Sequence, residues 1–273
     1  MVFSKTKNLL VDNSIVLYSI KNLGQFLVGV ILFIATAGEI LFIPFVVGAS
    51  SFLLAYAAIY PFNDLIDRTQ DRNNKKKVRH ALPEQNSVEN SVSVIFLLLI
   101  SGFALSTYLP TAFQIFLFVS LLTNFLHSSA HTRFKENTYL TGPNMMIMQA
   151  SKFSAGWFSQ TSSTHGFPFY FIASLGLLYA FLYFVYKDRI FSNLLKERLY
   201  IHGFLLAALA FYAYSFLIYD LKLLIGVIVA YFAVVLFLHS SRERLGEKLW
   251  QASISLLFTL FIGALFIFYL MGG

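Results

Sequence analysis

Residues 40–71 read ILFIPFVVGASSFLLAYAAIYPFNDLIDRTQD. No charged side chain interrupts the run from Ile40 to Tyr60. A helix needs about 20 apolar residues to cross the hydrocarbon core of a bilayer, so this segment is long enough to span it. Aspartates follow at once, at positions 64, 67 and 71. Further apolar runs lie on either side: Leu23–Thr36, Val92–Leu109, Ala112–Leu126, Pro143–Phe158, Phe167–Tyr186, Leu199–Ile218, Leu223–Leu238 and Leu249–Leu270. With Ile40–Tyr60 they predict an all-α integral membrane protein of nine transmembrane helices, with residues 1–273 forming a single polytopic membrane domain. The first and fourth runs are short for a crossing, so their flanks continue the helices. Ala37-Gly38-Glu39 and the chain around Pro110 are tight turns that make antiparallel helical hairpins.

Composition agrees. The chain is 58% hydrophobic and only 12% charged, against about a quarter charged for a soluble domain. A membrane β-barrel would show short segments of strict alternation, and none is present. The absence of cysteine excludes disulfides and thiolate metal sites. In a membrane protein a net charge of +7 points to anionic lipid head groups and a phosphorylated substrate rather than to nucleic acid.

Loop charge sets the orientation, because Lys and Arg are retained on the cytoplasmic side. With the N-terminus inside, the inside segments hold Lys5, Lys7 and Lys21, then Arg68, Arg72, Lys75, Lys76, Lys77 and Arg79. Later inside segments add Arg133, Lys135, Lys187, Arg189, Lys196, Arg198, Arg242, Arg244 and Lys248. Only Lys222 falls outside and Lys152 within a span. The start also has features of a signal peptide, including Ala35-Thr36-Ala37, but eight more spans follow and we read the first segment as a retained helix.

The longest inside loop opens with Asn63-Asp64-Leu65-Ile66-Asp67-Arg68-Thr69-Gln70-Asp71. If the second span continues as a helix, spacings of three and four put Asp64, Asp67 and Asp71 on one face. A divalent cation turns their mutual repulsion into coordination, and Mg²⁺ favours carboxylates together with substrate phosphate oxygens. Lys75, Lys76, Lys77 and Arg79 follow, as suits a diphosphate–metal complex at the membrane surface. A solvated loop obeying the positive-inside rule explains the basic run but not the acidic cluster.

This pattern resembles the UbiA family of intramembrane prenyltransferases, which carries N-D-x-x-D-x-x-x-D at the cytoplasmic end of its second helix and K-x-x-R-P beyond it. Here Asn63, Asp64, Asp67 and Asp71 are in register, followed by Lys76-Lys77-Val78-Arg79, with His80 in place of Pro. The family's Y-x-x-x-K motif is matched by His131-Thr132-Arg133-Phe134-Lys135, with His for Tyr. Its second acidic motif, D-x-x-x-D, is degenerate: Asp188 is present, but Ser192 stands at the second position, beside Asn193.

The resemblance implies a nine-helix UbiA-type bundle with its active site at the cytoplasmic helix ends. It implies a Mg²⁺-dependent enzyme that ionises an allylic polyprenyl or oligoprenyl diphosphate and transfers the prenyl group to an unidentified acceptor. Asp64, Asp67, Asp71 and Asp188 are the implied catalytic metal ligands. Asn63, Lys76, Arg79, His131, Lys135 and Lys187 are the implied diphosphate contacts. Asn22, Gln25, Asn144 and Tyr183 are expected to line the prenyl or acceptor pocket.

Two other readings stand beside this one. The degenerate second motif keeps open a UbiA-type terpene cyclase, in which a π bond of the same substrate captures the cation. A non-catalytic transporter or lipid-binding protein leaves the acidic cluster without a purpose. The aromatic content, 31 Phe and 15 Tyr, permits cation–π stabilisation of an allylic cation but also suits lipid packing and interfaces. Lys152, the deepest basic residue, is expected either to snorkel or to pair with an acid such as Glu39.

Overall fold

The structure, a computed structural model, describes residues 15–71, 88–129, 134–187, 189, 193–219, 226 and 260–271; of residues 15–21, 64 and 67–71 it describes the backbone. The described chain is helical throughout. In order come α1 (Ile15–Ala37), α2 (Phe42–Ala57), α3 (Ile59–Asp71), α4 (Val88–Ser106), α5 (Thr111–Ser128), a 3₁₀ turn at Phe134–Glu136, α6 (Thr138–Phe158), α7 (Phe169–Tyr186) and α8 (Leu195–Ile218). A shorter apolar helix, α9, covers Leu260–Leu270.

Among the described residues, five helices are long and apolar enough to cross a membrane: Phe42–Asn63, which runs through the α2–α3 junction, then α4, α5, α7 and α8. Within the fully described residues, α1 contributes the apolar stretch Asn22–Ala37 and α9 the stretch Leu260–Leu270. Of the nine expected spans, Leu223–Leu238 except for Gly226, and residues 249–259 of Leu249–Leu270, lie outside the described residues. Large apolar side chains stand exposed along these helices, among them Phe42, Ile43, Phe96, Ile100, Phe118, Leu206 and Leu217. Exposed apolar surface on this scale is costly in water and matches lipid, so the chain is a membrane protein.

The two predicted hairpins form. Gly38 ends α1 with φ 75° and donates its N–H to Ile34 O at 2.7 Å, the left-handed helix stop that glycine adopts without strain. Pro110 caps the start of α5. The break between α2 and α3 at Ala58 also has a local cause. Pro61 lacks an N–H for Ala57 O and its ring crowds that carbonyl, so one turn loosens before the helix resumes. The helix then continues to Asp71, which meets the condition under which the three aspartate positions share one face.

Central to the bundle is α6, which packs against α1, α5 and α7. Its 21 residues reach about 31 Å, a full crossing. Buried Asn144, Gln149, Ser151, Lys152 and Ser154 make it too polar to stand with the apolar spans. It begins earlier than Pro143, the expected start. Asn137 caps it, accepting from the N–H groups of Tyr139 and Leu140 at 2.9 and 3.3 Å. Pro143 therefore sits inside the helix, leaving Tyr139 O without its i+4 donor. Tyr200 Oη on α8 donates to that carbonyl at 2.8 Å. A tertiary hydrogen bond thus replaces the one proline removes.

Glycine sets the α1–α6 crossing. A Cβ on Gly29 would collide with Phe153 O, and one on Gly156 with Phe26 O. Around this crossing lies the main core, in which Phe26, Phe52, Phe113, Phe153, Trp157 and Phe171 are fully buried. The Phe26–Phe52 and Phe52–Tyr56 ring centroids lie 5.3 and 4.6 Å apart.

Candidate functional site

The start of the described α1, the C-termini of α3, α5 and α7, and the N-termini of α6 and α8 meet at one end of the bundle. On α3 the helical backbone runs unbroken through positions 64, 67 and 71, so these three positions share one face. Asn63 immediately precedes them and is half-buried, and its Oδ1 is buried without a hydrogen-bond partner. An orphaned amide oxygen next to a run of carboxylate-bearing positions is an all-oxygen donor set of the kind that suits Mg²⁺. The side chains of Asp64, Asp67 and Asp71, together with all of Asp188, Lys76, Arg79 and His131, lie outside the described residues. Among the described residues no group of three potential metal-ligating carboxylates, histidines or cysteines occurs.

The same end of the bundle carries a basic cluster. Lys135 lies on the 3₁₀ turn before α6, and Lys187 follows α7 directly. Arg189 reaches across and donates from Nη2 to Lys135 O at 2.8 Å and from Nη1 to Thr138 Oγ1 at 3.4 Å. Thr138 in turn donates to Glu197 Oε1 at 3.5 Å, at the start of α8. Lys135, Lys187 and Arg189 all lie within electrostatic reach of His127, at the end of α5. The His127 Nδ1 is buried with no hydrogen-bond partner. Its ring meets the Tyr183 ring edge-on at 5.4 Å, while Lys187 Nζ lies 5.2 Å from the Tyr186 centroid and 5.9 Å from that of Tyr183. The three cations form an anion-attracting face beside the His127 imidazole.

Between the site and the core lies a polar layer. Lys152 is 3% exposed, so it does not snorkel, and it points inward instead of toward Glu39, which is exposed. Its Nζ donates to Asn22 Oδ1 at 2.9 Å and lies 5.0 Å above the Tyr56 ring. Asn22 Nδ2 donates to Tyr60 Oη at 2.8 Å, one turn before Asp64 on α3. Tyr56 Oη donates to Ser120 O at 3.2 Å. Gln25 is buried beside Tyr179 with its Oε1 unpartnered.

The structure therefore brings Asn22, Gln25, Asn63, Lys135, Lys187 and Tyr183 to one end of the bundle and the layer beneath it. Asn144 does something else: its Nδ2 donates to Thr123 O at 3.0 Å and ties α6 to α5. Sequence reasoning did not single out Arg189, His127 or Tyr60. Arg189 passed as an ordinary inside charge. Its neighbours Asp188 and Lys187 were the available signal, since a charged loop at a helix end can brace the neighbouring loop.

The comparisons agree with this architecture. The sequence model of the UbiA prenyltransferase family matches residues 23–244. Among curated proteins none matches significantly. A solved UbiA homolog from Archaeoglobus fulgidus bound to DMAPP and Mg²⁺ is 17% identical, with a TM-score of 0.70, covering 92% of this chain and 97% of that one. The same homolog bound to GPP and Mg²⁺ has a TM-score of 0.67 at 17% identity, covering 92% and 98%. Bound to Cd²⁺ it has a TM-score of 0.62 at 16% identity, covering 92% and 97%. At this identity the structures speak for the fold, and the sequence match over most of the chain speaks for the family. The chain belongs to the UbiA prenyltransferase family.

Proposed function

We propose that the chain is a Mg²⁺-dependent prenyltransferase that ionises an allylic polyprenyl or oligoprenyl diphosphate in the membrane and transfers the prenyl group to an acceptor. The observation that carries the reading is that α3 runs helically to Asp71, so positions 64, 67 and 71 share one face at the end of the bundle that also holds Lys135, Lys187 and Arg189. The structural neighbours bound to DMAPP or GPP with Mg²⁺ support the same choice of ligand. In this reading the whole chain is one nine-helix membrane domain in the cell membrane, and its N-terminus and site loops are cytoplasmic.

The residues divide the work. Asn63, Asp64, Asp67, Asp71 and Asp188 hold the metal, and Lys76, Arg79 and His131 add contacts to the diphosphate. Bound Mg²⁺ supplies electrostatic stabilisation of the departing diphosphate. Lys135 and Lys187 hold the phosphate oxygens, and charge-assisted hydrogen bonds of this kind strengthen as negative charge develops on them. Arg189 fixes the backbone that carries Lys135. The face of Tyr183 is electron-rich, and the surrounding apolar shell keeps water from the allylic cation. The prenyl tail stays among apolar groups throughout, so the site need not extract it from lipid.

A membrane terpene cyclase is the alternative, favoured by Ser192 and His131 standing where the family pattern has Asp and Tyr. Purified chain incubated with Mg²⁺ and labelled diphosphates of graded chain length distinguishes the two. Diphosphate release with a prenyl adduct supports the transferase, and release with a hydrocarbon or terpene alcohol supports the cyclase. No release in the presence of Mg²⁺ contradicts both.

A further inference from the structure

Below the acidic motif, α2 and α3 carry a ladder of aromatic rings. Phe52, Tyr56 and Tyr60 follow one another at spacings of four and lead to position 64, so each stands one turn below the next. Exposure changes abruptly along the ladder. Tyr60 is partly exposed, whereas Tyr56 and Phe52 are 1% and 0% exposed. The accessible space beneath the acidic end therefore closes at Tyr56. Three contacts hold that ring. It stacks on Phe52 with centroids 4.6 Å apart, its Oη donates to Ser120 O on α5 at 3.2 Å, and Lys152 Nζ lies 5.0 Å from its centroid. Phe26 on α1 backs Phe52 at 5.3 Å. The helices around the ladder are locked as well. Ser51 Oγ donates to Gly102 O at 2.8 Å, and a Cβ on Gly102 would lie 2.8 Å from Ala55 N, so α2 and α4 touch backbone to backbone. A core packed in this way admits a hydrocarbon chain only by displacing a ring.

We propose that Tyr56 is the floor of the prenyl pocket and sets the longest donor the site accepts, with Phe52 as a second barrier one turn further down. Eight residues separate position 64 from Tyr56, about 12 Å of helix. An isoprene unit adds four carbons along its chain, about 5 Å when extended. The room above Tyr56 thus matches about two units, which selects dimethylallyl and geranyl groups and rejects farnesyl and longer ones. The step from Tyr56 to Phe52 is about 6 Å, close to one further unit. This inference rests on the reading that the site ionises an allylic diphosphate. It narrows the donors to the short oligoprenyl class and holds for transfer and cyclisation alike.

The test uses the full chain in lipid nanodiscs with Mg²⁺ and dimethylallyl, geranyl, farnesyl and geranylgeranyl diphosphates. Diphosphate release is read for each donor, and competition against labelled geranyl diphosphate gives each Kd. Wild type should bind and turn over farnesyl diphosphate at least about tenfold less well than geranyl diphosphate. Tyr56→Ala should bring farnesyl within about threefold of geranyl, and adding Phe52→Ala should do the same for geranylgeranyl. Tyr56→Leu, a smaller truncation, should move the ratio the same way and carries the test if Tyr56→Ala does not fold. Tyr56→Phe keeps the ring and should keep the limit. Phe113→Ala removes an equally buried ring at the opposite end of α5 and should leave the donor ratios unchanged. Wild type that takes farnesyl and geranylgeranyl as readily as geranyl, as a tail leaving sideways into lipid would allow, overturns the inference. So does an unchanged farnesyl-to-geranyl ratio in the folded Tyr56 truncations, or an equal shift in Phe113→Ala. Failure of wild type to bind or release any of the four donors overturns the allylic-diphosphate reading instead, and this inference with it.

Discussion

Gly156→Ala tests the packing that brings α1 to the site. A Cβ at Gly156 would collide with Phe26 O and lie 2.9 Å from Phe26 C and 3.0 Å from Gly29 Cα. All three atoms are backbone, so no side-chain rotation relieves the clash and α1 must move as a unit. Overpacking of this kind costs about 1–3 kcal/mol. Replacing a mid-helix glycine by alanine also returns about 1 kcal/mol of helix propensity, which obscures a single measurement. Gly203→Ala on α8 is the control, because a Cβ there meets nothing within 4 Å. The propensity gain is common to both variants, so their difference isolates the packing cost. For a chain of this size 1 kcal/mol corresponds to roughly 2–4 °C in Tm, so Gly156→Ala should melt roughly 2–12 °C below Gly203→Ala. Thermal unfolding of both in the same detergent is the assay. Equal or higher Tm for Gly156→Ala refutes the close crossing. In the folded fraction, a shifted α1 carries Asn22, one turn before Phe26, away from Lys152.

Lys135→Ala should raise the Kd for an allylic diphosphate about 10- to 150-fold, the loss of one charge-assisted contact of about 1.5–3 kcal/mol, with little change in Tm. Arg189→Met should weaken the same binding, and because Arg189 acts through the Lys135 backbone the double variant should be less than additive; full additivity contradicts that role. Tyr200→Phe should destabilise the protein by about 0.5–1.5 kcal/mol by removing the hydrogen bond to Tyr139 O. In a Pro143→Ala background, where the helix supplies its own donor, that cost should shrink, and an unchanged cost would mean the hydrogen bond is incidental. A single cysteine introduced at Asn74 should react with impermeant reagent only from the cytoplasmic side; labelling from outside intact cells contradicts the orientation.

Apolar run length made the helices legible, because in lipid a spanning segment must satisfy its backbone internally and shield it with apolar side chains. The hairpin turns were legible too, since Gly38 and Pro110 leave few other conformations. The helix face carrying Asp64, Asp67 and Asp71 followed from spacing once α3 ran on to Asp71. The start of α6 was not legible. Pro143 reads as a first-turn proline, and only the donor from Tyr200, far along the chain on α8, lets the helix begin at Thr138. Lys152 was legible as an anomaly but not in its direction, because snorkelling and burial differ by whether a neighbouring helix offers an oxygen, and Asn22 does. Arg189 was hidden for the same reason: its partner Lys135 O lies on another loop, and nothing local distinguishes it from the other inside charges.

The central claim is that the α3 aspartates act on the departing diphosphate. The direct measurement is Mg²⁺-dependent diphosphate release by Asp64→Asn and Asp67→Asn in folded protein. Asparagine keeps the size and hydrogen-bonding capacity of each side chain and removes the charge that holds the cation. Because the loss falls on the chemical step as well as on binding, release should drop by at least about a hundredfold even at saturating substrate, while Tm in the absence of metal is unchanged or raised by the removal of like-charge repulsion. Wild-type release by both variants at limiting Mg²⁺ would contradict the account and leave the acidic run on α3 as surface charge.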